Sequence, residues 1–215
     1  AGIEWGVFNG VDTPECVEKA IDQLKERSTL LPNKAEELEK RKPIVTQMVE
    51  NGLEQLMPLG KPESPAPGQR QHSIGIPVRF SPGDNGTIDL IGYLDFWYPQ
   101  HNLVVDLKTT AKAPSKWSLS HGIQAAVYQK AVHAMTGEKP AVKFLYCLTR
   151  KKDPYIWLEM EDADYYLASF KRTVTQLEKL LRLSNDSRDI IAALPHNPDS
   201  FYWSDAQEIA AQFYD

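Results

Sequence analysis

Two aspartates and a lysine carry the chemistry that this chain can do. In Leu103-Val104-Val105-Asp106-Leu107-Lys108-Thr109-Thr110, strand alternation sends Asp106 and Lys108 to one face and Val105 and Leu107 to the other. Taken alone, such a pair reads equally well as a solvated edge pair or a local salt bridge. Asp95 adds weight. It ends Ile91-Gly92-Tyr93-Leu94-Asp95, the strand just before, and hairpin pairing sets it beside Asp106. Adjacent carboxylates repel and each loses hydration, so the pair calls for a cation. Magnesium takes octahedral oxygen ligands and retains waters; Asp95, Asp106, the Leu107 backbone carbonyl and the phosphate oxygens of a substrate satisfy it. Such a cation acidifies or orients a water, and Lys108 positions that water and balances charge growing on the phosphate. Gly92 marks either a close approach of backbone or substrate, or a plain β-bulge.

Gln124 and Tyr128 form the third element. They lie four apart on one helix, so they share a face, and His121 falls near it. Gln124 can hydrogen-bond a phosphate or base, and Tyr128 can orient a phosphate or stack a nucleotide. The plainer alternative is a half-buried tyrosine and a surface amide. Lys112, Lys116 and Trp117 follow the aspartate–lysine strand and suit DNA backbone and base contacts, or a lysine loop with an anchoring indole. Asp89 shares the strand parity of Asp95, yet reads more simply as a solvated carboxylate. Arg150-Lys151-Lys152 reads as a phosphate contact or a polar turn, and Trp157 as core. His72, His101, His133 and His196 show no metal-ligand spacing.

The elements that must hold these residues follow from periodicity. Pro14–Leu31 repeats Val17, Ala20, Ile21 and Leu24 at helical spacing behind a Thr13-Pro14 start. Asn33 with Glu36 resembles a capping box, and a further helix is expected from about Pro43 to Met57. Pro58–Gly68 is a loop. His72–Phe80, Thr87–Trp97 and Asn102–Thr109 then read as consecutive antiparallel strands, separated by Ser81–Gly86 and by Pro99–Asn102. Trp117–Met135 is helical up to Gly137, Val142–Thr149 and Tyr155–Met160 are strands, and Asp162–Leu183 is a long amphipathic helix. The order predicts an α/β fold, a central mixed sheet covered by helices. It is read as a single domain over 1–215: a helical part over 1–68, an α/β core over about 70–183, and a tail over 184–215. The tail carries Phe201, Tyr202, Trp203, Phe213 and Tyr214 and is expected to pack on the core.

Composition narrows the class. The 215 residues are 42% apolar and 25% charged, with a formal charge of −5, which argues against a general nucleic-acid coating protein but not against an enzyme with an acidic site. No stretch reaches the roughly 18 apolar residues of a membrane span. Glu4 and Asp12 stand where a secretory leader would be basic then apolar, so a cytoplasmic, reducing setting is expected. Cys16 and Cys147 are too few for a four-cysteine zinc or iron–sulfur site.

Gly92-Tyr93-Leu94-Asp95, Asp106-Leu107-Lys108 and Gln124-Ala125-Ala126-Val127-Tyr128 together resemble the GxxD, DxK and QxxxY motifs of RecB-type nucleases of the PD-(D/E)XK superfamily. The resemblance covers residues 72 to 149, and the flanks only in architecture. It implies a restriction-endonuclease-like core, with Asp95 and Asp106 as metal ligands, Lys108 as the catalytic lysine, and Gln124 and Tyr128 beside the substrate. It further implies Mg²⁺, with Mn²⁺ able to substitute, and a DNA substrate degraded from its ends in recombination or repair. Relatives often add a glutamate or histidine from a preceding helix; Glu50 is the candidate, and a solvated helix face explains it equally well. The iron–sulfur branch of such families carries a cysteine cluster that is missing from this sequence. There is no GxxxxGK[ST] ATPase motif, so unwinding falls to a partner: a helicase, with a recombinase or single-strand-binding protein as other expected partners. The competing classes are an endonuclease, a silent nucleic-acid-binding module and an acidic interaction subunit.

Overall fold

The computed structural model describes residues 1–28, 33–69, 71–79, 87–184 and 186–192. The fold is arranged around β4 (Leu103–Thr110), whose first residues are buried on both faces. It pairs antiparallel with β3 (Phe96–Tyr98), and parallel with β5 (Ala141–Leu148), which pairs antiparallel with β6 (Tyr155–Glu159). Parallel neighbours need a crossover, and α4 (Leu119–Thr136) supplies it. Alternation then sorts the side chains. Val104 joins Val142, Phe144, Ala125 and Val132 in a core beneath α4. Val105 joins Leu145, Leu53 and Leu56 in a second core on the opposite face. The result is the expected α/β architecture, a mixed sheet between helices.

The second core is roofed by α1 (Gly2–Asn9), α2 (Thr13–Arg27) and α3 (Lys34–Leu56). No periodicity announces α1. It forms where Gly6 allows close contact: a Cβ there would stand 2.4 Å from Cys16 Sγ and 2.8 Å from Leu53 Cδ2. The cap of α2 is Asp12 rather than Thr13, its carboxylate accepting from the Glu15 amide at 3.1 Å. The Asn33–Glu36 capping box does not form, because the Asn33 side chain makes no capping bond. Nor does a new helix start at Pro43. The segment is one helix through that proline, with the Glu37–Arg41 pair at 2.9 Å before it and buried Val49, Leu53 and Leu56 after it.

The expected three-strand meander is broken. Thr87–Trp97 is not one strand: β2 (Thr87–Leu94) stops before Asp95 and β3 begins after it. β2 pairs with β1 (His72–Arg79) in a separate two-stranded sheet, while β3 belongs to the four-stranded one. At the break, the Asp95 carboxylate takes a backbone amide of β4, so a side-chain bond stands where ladder pairing would have continued. Ser118 caps α4 by accepting from the His121 amide at 3.2 Å, and Gly137 ends it in the left-handed conformation at φ 80°.

The described residues divide into two compact units. One comprises residues 1–78 and 88–167 and contains both cores; α5 (Ala163–Leu181) begins in it. The other takes residues 79 and 87 and the described residues from 168 on, including α6 (Ser187–Ala192), and is held internally by Glu178–Arg182 at 2.9 Å and Ser184–Asp189 at 2.7 Å. The Ser81–Gly86 separator, His196, and the tail from 193 with Phe201, Tyr202, Trp203, Phe213 and Tyr214 lie outside the described residues. Cys16 and Cys147 are free and buried. No described helix is long and apolar enough to cross a membrane.

Candidate active site

Asp106 is the polar exception in an apolar strand, only 2% exposed beside fully buried Val104 and Val105. Its Oδ1 accepts from Gln124 Nε2 at 3.1 Å. Its Oδ2 lies 2.8 Å from Lys108 Nζ, two residues on along the same face, yet is buried and accepts no well-directed hydrogen bond. Asp95 stands at the break between β2 and β3, opposite Asp106. Its Oδ2 accepts from the Leu107 amide at 2.8 Å and its Oδ1 from Gln71 Nε2 at 2.5 Å.

The helix completes the arrangement. Gln124 Nε2 also donates to the Tyr128 hydroxyl at 2.7 Å, and that hydroxyl donates to the Tyr93 carbonyl at 2.7 Å. Tyr128 is 6% exposed, its ring edge lying over Gly92, where a Cβ would meet Cε1 at 3.2 Å. The close approach at Gly92 is therefore made by Tyr128. All three motifs meet in one network through Asp106, Gln124, Tyr128 and the Tyr93 backbone.

Burial raises the Asp106 carboxyl to about 7; the Asp95 charge adds to the rise and Lys108 opposes it. Burial also raises Asp95, against the Leu107 amide, Lys108 and Gln71, while the charge of Glu4 on α1 pushes it further up. Beyond Lys108, whose Nζ stands 5.2 Å from the Phe144 ring centroid, His121 Nδ1 and the Tyr146 hydroxyl share a hydrogen bond of 2.7 Å. Burial, then the Lys108 charge, lowers His121. Burial, then Asp106, pushes Tyr146 up to about 12.

The structure thus brings Asp95, Asp106, Leu107, Lys108, Gln124 and Tyr128 together, with His121 alongside. Glu50 is exposed on α3, and among the described residues no hydrogen bond or ion pair joins it to either aspartate. Lys112 and Lys116 are exposed. Trp117 is half-buried, packed edge-on against Phe144 at 4.7 Å with its Nε1 donating to the Glu159 carbonyl at 3.0 Å. Trp157 packs against the second core, and Arg150 closes the β5–β6 turn by donating to the Asp153 carbonyl at 3.0 Å. Sequence reasoning missed Gln71, Glu4 and Tyr146. None had a local signal; Tyr146 becomes readable only once the parallel register makes it the partner of Lys108, as Phe144 is of Asp106.

Among the described residues no three His, Cys, Asp or Glu side chains gather into a ready cation cluster. A buried and a half-buried carboxylate, the first with an acceptor oxygen lacking a directed donor, still fit a divalent cation whose other positions would be filled by water and substrate. Leu107 fits too, since in extended backbone a residue's N–H and C=O leave along the same edge, and its N–H already points to Asp95.

A comparison with curated proteins finds no match. Solved structures that match include two at low identity. One, described as a candidate exonuclease from Eubacterium rectale, is 20% identical with a TM-score of 0.42, over 80% of this chain and 67% of that one. The other, SSO0001, is 12% identical with a TM-score of 0.39, over 79% of this chain and 88% of that one. Residues 11–197, which include every motif above and both cores apart from the contribution of α1, match the sequence profile of the PD-(D/E)XK nucleases, and the chain belongs to that superfamily.

Proposed function

We propose that the chain is a divalent-metal-dependent DNA nuclease, an exonuclease acting in recombination, repair or DNA processing. The observation that carries this reading is the pairing of buried Asp106 with Asp95 beside Lys108, an arrangement that costs stability unless a cation is shared. A bound Mg²⁺, or Mn²⁺ in its place, would lower the pKa of a water and neutralise charge on the phosphate. Asp95, Asp106 and the Leu107 carbonyl would hold it. The charge of Glu4, which pairs with the N-terminal amine at 3.1 Å, reaches Asp95 as an electrostatic neighbour, and Glu50 is kept as the candidate for a further acidic ligand.

The residues of the chain divide the remaining work. Gln124 fixes Asp106 through Oδ1, which would leave Oδ2, now beside Lys108, to hold a cation. Lys108 orients the attacking water and balances charge on the phosphate. Tyr128 acts from beneath, holding Gln124 and the Tyr93 backbone rather than stacking a base. His121 and the exposed Lys112 and Lys116 would contact the substrate backbone. A helicase, recombinase or single-strand-binding partner would supply opened ends.

The test is Mg²⁺-dependent digestion of DNA labelled separately at each end, as single and double strands, by wild type, Lys108→Ala and Asp106→Ala. Ladders made by wild type and lost in both variants support the reading. Full metal-dependent cleavage by Asp106→Ala would overturn it.

A further inference from the structure

The reading above leaves a groove of about 510 Å³ unused, formed by α1, α2 and the segment 61–69. It lies in the range of true ligand pockets, roughly 300–1,000 Å³. Its walls include Trp5, Phe8, Lys19, Lys61 and Gln69. Two features tie it to the centre. Glu4 lines it and acts electrostatically on Asp95. Gln69, which accepts from Ser73 Oγ at 3.2 Å, stands two residues before Gln71, the donor to Asp95.

The wall chemistry is that of a single nucleic-acid strand. Trp5 and Phe8 are half-buried and braced: Phe8 stacks on Phe96 at 5.7 Å, and Lys19 Nζ sits 4.6 Å from the Trp5 ring centroid. Aromatic faces interleaved with ammonium groups serve bases and phosphates together. The neighbouring depression, which shares Trp5, Lys19 and Gln23 with the groove, is otherwise lined by Glu15, Glu18, Asp22 and Glu26. That acidic bank repels a polyanion, as does Glu4 in the groove wall, and leaves Lys19 and Lys61 as the groove's side-chain cations for phosphates. A groove of this volume takes a few bases and not a duplex.

We propose that this groove binds the single-stranded segment flanking the scissile phosphate, with bases against Trp5 and Phe8 and phosphates at Lys19 and Lys61. The proposal rests on the nuclease reading of Asp95 and Asp106. Both lysines are exposed, so their replacement leaves the fold intact, which thermal unfolding checks.

The experiment measures fluorescence anisotropy of an oligonucleotide of about 12 nucleotides, in Ca²⁺ to block turnover, over a salt series. Wild type is compared with Lys19→Ala/Lys61→Ala and Lys19→Arg/Lys61→Arg. The alanine pair should bind roughly tenfold more weakly, with a salt slope flatter by about 1.4, about 0.7 per lost phosphate contact on a single strand. The arginine pair should keep wild-type binding. In Mg²⁺, cleavage of thymidine 5′-(p-nitrophenyl phosphate), which carries no flanking strand, reads the Asp95–Asp106 centre apart from strand binding. Unchanged affinity and slope in the alanine pair, with cleavage intact, overturns the groove and leaves the nuclease standing. Binding lost in the alanine pair without cleavage by any protein supports the groove and overturns the nuclease reading. No binding and no cleavage by wild type overturns both.

Discussion

The Tyr128 hydroxyl donates to the Tyr93 carbonyl at 2.7 Å, so a helix residue grips the strand that delivers Asp95 two residues later. The same hydroxyl accepts from Gln124, which holds Asp106. One buried phenol therefore sets the spacing of both carboxylates.

Tyr128→Phe removes that hydroxyl and leaves the Tyr93 carbonyl and Gln124 short of a partner. The expected cost is about 1–2 kcal/mol of stability, read by urea unfolding. Turnover should fall more than binding, because the carboxylates lose their spacing while the substrate surface is kept. Wild-type turnover in Tyr128→Phe would refute this role.

The raised Asp106 carboxyl makes metal-free stability depend on pH. Its folded value, about 7, lies above the unfolded carboxylate value, so between the two the native state binds the extra proton. Stability should therefore fall as pH rises from about 4 to about 7. Asp106→Asn should relieve this, raising the unfolding midpoint at pH 8 with a gain that vanishes toward pH 4. Mg²⁺ should stabilise wild type more at pH 8 than at pH 6, since binding displaces the proton. Thermal scans with and without EDTA measure both effects.

Gly122 on α4 admits the Tyr166 ring, whose Cε1 would stand 2.1 Å from a Cβ at that position. Gly122→Ala gains helix propensity but forces the ring away, for a net loss of about 1–3 kcal/mol. A midpoint equal to or above wild type in chemical denaturation would show that the ring relocates freely.

Burial and the Lys108 charge together keep His121 below the usual histidine value. Lys108→Met removes a positive neighbour that disfavours the imidazolium, so the His121 titration should move upward, part of the way to its ordinary value. Proton NMR of the imidazole signals follows this directly. An unmoved titration would place Lys108 too far away to act on it.

What the sequence made legible is what alternation controls. Asp106 and Lys108 share a face because two residues separate them, and Gln124 and Tyr128 share one because four do. The break at Asp95 was invisible, since Thr87–Trp97 has no proline and no cluster of turn residues to interrupt it, and only the Leu107 amide across the gap reveals why pairing stops. Helix α1 was hidden for a different reason. Gly2 and Gly6 weaken its intrinsic propensity, and their value appears only against Cys16, Ala20 and Leu53. Glu4 and Gln71 reach the site through tertiary packing that no local pattern encodes. Pro43 misled in the opposite direction, reading as a helix start where α3 runs on.

Asp95 stands where one sheet stops and another begins, so no ladder holds it. Its own carboxylate ties the chain across the gap, through Leu107 on one oxygen and Gln71 on the other. Removing that side chain therefore erases a joint together with a ligand, and an inactive Asp95→Ala protein would not tell chemistry from misassembly. Asp95→Asn keeps an acceptor for the Leu107 amide, while Gln71 can flip its own amide to accept from the new one. The conservative replacement is the clean probe at this position.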